Sequence, residues 1–230
     1  MNDFLNTSSY FGIFLTVFAY LLAIGIRKRV RSGLANPLLL AAIITIGTLL
    51  ACRIDYETYN SSAGFLTMLL TPSTVCLAIP LYQQIDKLKK NFVAIFTGIL
   101  SGSLASLASV YLLSKLFGFS KEEYITFLPK SITTAIGMGV SQELGGIVPI
   151  TVAAIILTGI LGHIICEGVL KVAGIRKRIA KGAAIGTASH AIGTSKAIEI
   201  GEVEGAISSL SIVIAGIITV LLSSLFAGLY

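Results

Sequence analysis

Two stretches of this chain gather the side chains that could do chemistry. The first, GTASHAIGTSKAIEIGEVEGA from Gly186 to Ala206, brings together one histidine, one lysine, three glutamates and four hydroxyl groups. The second, PKSITTAIGMGVSQELGG from Pro129, sets Lys130 beside Ser131, Thr133 and Thr134. In the second stretch Pro129 interrupts any helix arriving from Tyr124 and is able to begin a new one, whose first-turn N–H groups lack intrahelical partners. Such N–H groups attract anions, and the three hydroxyls and the lysine cation add to that attraction. Gly145 and Gly146 permit a chain reversal. The alternative is an amphipathic helix on the outer surface with Lys130 solvated.

In the first stretch, glycines at 186, 193, 201 and 205 lower helix propensity. Thr187, Ser189, Thr194 and Ser195 can satisfy freed backbone groups or coordinate a polar ligand. His190 and Thr194 fall on one helical face at i,i+4, and Lys196 stands three residues before Glu199, close enough to neutralise it. The alternative is a cytoplasmic loop leading into a charged helix cap. His163 and Glu167 form a further i,i+4 pair near Cys166. With no convergent additional ligand they read as a packed or proton-sharing pair, not a metal site. No nucleophile elbow, zinc-protease helix or phosphate-binding loop occurs, and Ser189 and His190 would diverge on a helix. The chain is therefore read as no enzyme, with no metal and no cofactor.

The elements that hold these residues belong in a membrane. The 230 residues are 55% hydrophobic and 12% charged, with mean hydropathy +0.91, whereas soluble domains are about one quarter charged. Apolar runs recur at roughly the 20 residues that span a bilayer as a helix. The predicted fold is all-α, a multispanning helical bundle forming a single membrane domain over residues 1–230. Clear spans are Tyr10 to Ile26, Asn36 to Ala51, Phe92 to Phe117, Ile147 to Leu170 and Ala206 to Leu229; Asn36-Pro37 marks a helix start. No basic residue precedes the first apolar run and no small-residue cleavage site follows it, so that run reads as a retained span. Cys52, Cys76 and Cys166 show no pairing pattern and read as small apolar fillers.

The net charge of +6 reflects topology, not a nucleic-acid partner. Arg27, Lys28, Arg29 and Arg31 form one basic cluster, Lys87, Lys89 and Lys90 a second, and Lys171, Arg176, Lys177, Arg178 and Lys181 a third. Each abuts an apolar run, as the positive-inside rule requires. Placing all three in the cytoplasm requires Ala63 to Tyr82 to cross, but forbids Tyr124 to Glu143 from doing so. The latter must dip in from the outer side and return, and the Gly186 stretch must dip in from the cytoplasmic side before the last span. Irregular backbone at such depth survives only when buried in protein or lining a wet cavity, so a site is expected between the two dips. The tetrapeptide TGIL at Thr97 to Leu100 and again at Thr158 to Leu161, each in a span preceded by a proline-interrupted segment, suggests an inverted repeat.

TPSTVCLAIPLYQQ from Thr71, PKSITTAIGMGVSQELGG from Pro129, IGTASHAIGTSKAIE from Ile185 and EGAISSL from Glu204 resemble the LrgB/CidB family of antiholin-like proteins across nearly the whole chain. The resemblance implies a multi-pass protein of the bacterial cytoplasmic membrane with a small LrgA/CidA-type membrane partner. It implies either modulation of murein hydrolases and autolysis, or transport of small monocarboxylates, as in the related pyruvate systems and the plastid glycolate/glycerate transporter. The positions it carries over as substrate-binding candidates are Pro129, Lys130, Ser131, Thr133, Thr134, Ser189, His190, Gly193, Thr194 and Glu199. A small carboxylate suits helix N-termini, hydroxyls and a cation, and His190 or Glu199 is placed to carry a proton. A homo-oligomer is compatible with all of this.

Overall fold

The computed structural model describes residues 10–30, 37–69, 72, 75–76 and 78–230. Eleven helices are defined among them, and no strand. The chain divides into two compact units, Met1–Cys76 and Leu77–Tyr230.

The first unit contains α1 (Phe11–Arg29), α2 (Pro37–Ala51) and α3 (Tyr56–Met68). α1 is long and apolar enough to cross a membrane and ends on Arg27, Lys28 and Arg29. α2 is also apolar but shorter than a full span. α1 and α3 run antiparallel, since the Gly12 N–H donates to Ser62 Oγ at 2.8 Å and Thr16 Oγ1 meets Tyr59 Oη at 2.8 Å. At Gly12 an added Cβ would lie 2.5 Å from the Tyr59 carbonyl, so only glycine allows this approach. Arg31, Asn36, Thr71 and Ser73 lie outside the described residues. The expected crossing from Ala63 to Tyr82 therefore appears only as the end of α3 and, in the second unit, α4 (Ala78–Gln83).

The second unit continues with α5 (Ile85–Lys90), α6 (Phe92–Phe117), α7 (Lys121–Phe127), α8 (Thr134–Leu144), α9 (Val148–Val172), α10 (Arg178–Ile200) and α11 (Glu202–Gly228). α6, α9 and α11 are each long and apolar enough to span a membrane. α6 and α11 run parallel. Near their starts Ile95 and Ile99 share a buried cluster with Val203 and Ile207, and at the other end Tyr230 Oη donates to the Ser114 carbonyl at 3.2 Å. The starts of both helices adjoin basic clusters, Lys89 and Lys90 for α6 and the Arg176 to Lys181 run for α11. The opposite end carries Lys115, Lys121, Glu122 and Glu123 together with Tyr111, Tyr124 and Tyr230, whose rings pack against one another. Such an aromatic group is typical of a membrane–water boundary.

α10 is not one straight helix. His190 has φ 42 and ψ −139, a conformation rarely adopted by a residue with a Cβ. Before it, Gly182 packs on Glu204 and Gly186 on Ser208 and Ser211, so the first limb runs parallel to α11. After it the order reverses: Thr194 meets Ser208 and Ile198 meets Gly205, so the second limb returns antiparallel. α10 is a hairpin entering from the basic end. α7 and α8 form the counterpart. Gly146 packs on Ile125 and Thr126, and the Ile147 N–H donates to Thr126 Oγ1 at 2.8 Å, which closes the mouth of the loop at the end away from the basic clusters. α9 connects the two hairpins: Thr151 touches Thr126 at that mouth, Ile155 meets His190 midway, and Glu167 meets Lys196 at the basic end.

Two dips from opposite ends thus follow the positive-inside bookkeeping. α6 and α9 run in opposite directions, and each is followed by a hairpin. From Thr97 to Pro129 and from Thr158 to His190 the chain covers the same number of residues, so the TGIL repeat aligns with the two hairpin tips that follow the spans.

Two local expectations require correction. The break in the Gly186 stretch falls at His190 and not at a glycine. Gly182, Gly186 and Gly205 instead let backbones approach closely, as small residues do between membrane helices. Nor does a helix start at Pro129: the Lys130 N–H is closed into a turn on the Phe127 carbonyl and that of Ile132 on Pro129, and α8 begins only at Thr134. Of the cysteines, Cys166 is buried in an apolar cluster, whereas Cys52 and Cys76 are exposed.

Candidate functional site

A cavity of about 1180 Å³ lies within the second unit. α6 supplies one wall through Ile95, Gly98, Ser101, Gly102 and Ser106, and the first limb of α10 supplies the other through Ile179, Ala183, Thr187 and Ala188. The small residues of the α6 segment GILSGSLASLAS leave volume open: a Cβ on Gly98 would meet nothing within 4 Å, whereas one on Gly102 would press on the Thr187 methyl group. Lys177 and Arg178 lie at its basic end, and Lys130 and Ser131 reach it from the tip of the α7–α8 hairpin. No aspartate or glutamate among the described residues lines it.

The hairpin tip is anchored by hydroxyl contacts. Ser131 Oγ lies 2.9 Å from Ser106 Oγ, near the middle of α6, and Lys130 Nζ donates to Ser131 Oγ at 3.1 Å. Lys130 is bonded only to that neutral hydroxyl and belongs to no ion pair among the described residues. Thr187 Oγ1 is buried with no hydrogen-bond partner among the described residues. A largely apolar cavity that holds cations and a few hydroxyls, and no acid among the described residues, suits a small organic anion, whose carboxylate would meet charge-assisted donors without a competing negative charge.

The expected site residues separate into two groups. Lys130 and Ser131 line the cavity, with Pro129 buried directly behind them. Thr133 and Thr134, at the start of α8, are half-buried and do not line it. Ser189, His190, Gly193 and Thr194 face into the protein. His190 Nε2 donates to the Ile155 carbonyl at 2.9 Å, and its ring lies where a Cβ on Gly159 would stand. Ser189 fills the space above Gly162 in the same way. Gly193 is pressed against Ser189 and Ile185, and Thr194 Oγ1 donates to the His190 carbonyl at 2.9 Å and meets Ser208 Oγ at 2.7 Å. The face shared by His190 and Thr194 is therefore a backbone bond across the break.

Glu199 is exposed at the basic end. Lys196 Nζ bonds it at 3.1 Å and Glu167 at 2.7 Å, so the lysine neutralises two acids. His163 and Glu167 do not pair with each other. His163 Nδ1 donates to the Ile192 carbonyl at 3.2 Å while Glu167 takes Lys196, and both fasten α9 to the second limb of α10. No group of three His, Cys, Asp or Glu side chains suited to a metal occurs among the described residues.

Sequence reasoning missed Ser101, Ser106 and the small-residue wall of α6, and it read Lys177 and Arg178 as topology signals alone. Only the spacing of serines and glycines in GILSGSLASLAS hinted at an open helix face.

The LrgB-like family model matches residues 16–229. The chain is 40% identical over 219 residues to the holin-like protein CidB of Staphylococcus epidermidis, covering 95% of each. It is 36% identical over 218 residues to the antiholin-like protein LrgB of Bacillus mycoides, covering 94% of this chain and 95% of that one. Against the protein YwbG of Bacillus subtilis it is 39% identical over 207 residues, covering 90% and 92%. No solved structure matches. With its hairpins, spans and basic end accounted for, the chain belongs to the LrgB-like family of multi-pass bacterial membrane proteins.

Proposed function

We propose that this protein binds small monocarboxylates of the pyruvate, glycolate or lactate type in the α6–α10 cavity and carries them across the membrane. The observation that supports this most is the lining: Lys130, Lys177 and Arg178 with Ser101, Ser106, Ser131 and Thr187, and no acid among the described residues. A lysine near mid-membrane is costly unless a ligand or solvent compensates it, and a carboxylate does so. Hairpins entering from opposite ends supply the two-sided arrangement that alternating access needs. Each hairpin tip touches a long span, the first at Ser106 and the second at Ile155.

A second reading is favoured by the relatives' names. Those relatives are named holin-like and antiholin-like. On this reading the chain tunes a small LrgA/CidA-type membrane protein, and through it murein hydrolases and autolysis, without moving a substrate. Neither reading involves making or breaking covalent bonds.

Uptake of labelled pyruvate, glycolate and lactate into proteoliposomes separates the two, with the protein alone and with its small partner. Transport predicts uptake above empty vesicles that K130M lowers about tenfold or more at limiting substrate. No uptake in either preparation, with altered murein hydrolase activity in cells lacking the protein, would leave the regulator.

A further inference from the structure

Glu204 lies in the first turn of α11, is 3% exposed, and its Oε2 has no hydrogen-bond partner among the described residues. Its carboxylate approaches one cation, Arg178, whose Nε is 4.0 Å from Oε1. That guanidinium is 75% exposed and also lines the cationic cavity, which Glu204 itself does not. The acid is therefore held behind the cavity wall by a residue that a bound anion would also engage.

Among the described residues the Glu204 carboxylate has no other ion pair or hydrogen bond; Oε2 rests against Gly201, and α5, which packs on Val203 and Ile207 through Leu88, carries Asp86, Lys89 and Lys90. On the first limb of α10, Gly182 packs against its backbone. On the second limb Glu199 is already bonded to Lys196. α6 carries no charged residue before Lys115, and on its own helix the neighbouring charge is Glu202. The remaining cations of the cavity are Lys177 and Lys130. The helix N-terminus favours a negative charge there, but a buried carboxylate without hydrogen-bond donors is costly while it stays charged. As a structural cap at the third helical position it would accept the Gly201 N–H, but that N–H donates to the Ala197 carbonyl and Oε2 accepts none among the described residues.

We propose that Glu204 is the protonation site that couples carboxylate movement through this cavity to one proton, an inference that rests on the transport reading. With Glu204 ionised, Arg178 is occupied by it. A proton from water on the side from which substrate enters forms an O–H bond on the carboxylate and releases Arg178, which then pairs with the substrate carboxylate. Arg178, Glu204 and ligand together carry the same net charge before and after, so one anion and one proton move as an electroneutral pair. On release, the substrate leaves for water, Glu204 returns its proton to water, and the Arg178–Glu204 pair re-forms. The sequence pointed to His190 and Glu199 for this role, but His190 is bonded to a backbone carbonyl and Glu199 is paired in the open.

The test uses the full chain in proteoliposomes with labelled pyruvate, measuring net uptake with and without an inward proton gradient, and pyruvate–pyruvate exchange at equal pH. Membrane potential is clamped by potassium and valinomycin. In the wild type the gradient should accelerate net uptake several-fold, and a potassium diffusion potential should leave it unchanged. Glu204→Gln should lose the acceleration while exchange continues, and Glu204→Asp should restore part of the gradient response. A Glu204→Gln protein that still responds fully overturns the proposal. So does one that loses exchange as well, without rescue by Glu204→Asp, since that is the signature of a structural role. Wild-type uptake that ignores the gradient overturns the coupling alone, whereas no wild-type uptake defeats the transport reading and this proposal with it.

Discussion

The same tetrapeptide, TGIL, stands in α6 and in α9, and its glycine meets opposite fates. Gly98 faces open cavity, while the space in front of Gly159 is occupied by the imidazole of His190. The two hairpins differ correspondingly. The α7–α8 tip, turned at Pro129, presents Lys130 and Ser131 to the cavity. The α10 tip, turned at His190, directs its polar groups into the seams with α9 and α11. A histidine and several hydroxyls at membrane depth are thus no guarantee of a binding site. Here Ser189, His190 and Thr194 hold a strained turn in place, whereas Lys130 and Ser131 line the cavity.

This contrast can be broken most severely at the packing of α10. Gly186→Leu drives a side chain into the Ser208 backbone, at about 3 kcal/mol for overpacking; the variant should be lost from the membrane fraction on immunoblots. Next comes the α10 tip. His190→Ala removes the bond to Ile155 and leaves that carbonyl and a cavity behind, at about 2 kcal/mol, which should lower the detergent melting temperature as well as any uptake. Melting that matches wild type would move His190 from the structural group to the ligand-facing group.

At the other tip the effect should fall on the ligand instead. Lys130→Met is expected to weaken pyruvate binding by about tenfold or more, roughly 1.4 kcal/mol, while the melting temperature holds or rises because an intramembrane charge is gone. Equal losses of stability from Lys130→Met and His190→Ala would erase the distinction drawn here.

The smallest effect lies where the α7–α8 hairpin begins. Ser120 and Glu123 form a reciprocal cap, with the Ser120 N–H and hydroxyl donating to Glu123 Oε2 at 2.7 and 2.9 Å. These bonds hold the Glu123 carboxyl below its ordinary value of 4.5. The folded-state value is depressed, so the cap's contribution is complete above pH 4.5 and fades as pH falls through the lower folded value. Amide exchange at the start of α7 should accelerate over that acidic window in the wild type and show no such step in Glu123→Gln.

The sidedness of both hairpins was legible because the positive-inside rule is a sum over the chain. Lysines at 89 and 90 and the Arg176 to Lys181 run fix which ends meet, whatever the local backbone does. Side-chain direction was not legible in the same way. His190 adopts a positive φ that its residue type gives no reason to expect, and that single torsion turns Ser189 and Thr194 inward. The glycines misled for a related reason: low helix propensity and close helix packing call for the same residue, and only neighbours such as Ser208 tell them apart. Lys130 and Ser131 were found because a cation and a hydroxyl beside a proline break remain suggestive in any geometry. Glu204 was hidden because EVEGA reads equally well as a solvated helix start.

The order of synthesis acquires a constraint from the α10 hairpin. Its first limb packs through Gly182 and Gly186 on α11, a helix that follows it in the chain. The hairpin therefore cannot reach its place as it leaves the ribosome. It must wait, near the basic face, until α11 has been inserted and offers the surface it closes upon, and the outer dip, whose Tyr124 hydroxyl donates to the Phe226 carbonyl of the same helix, shares that wait.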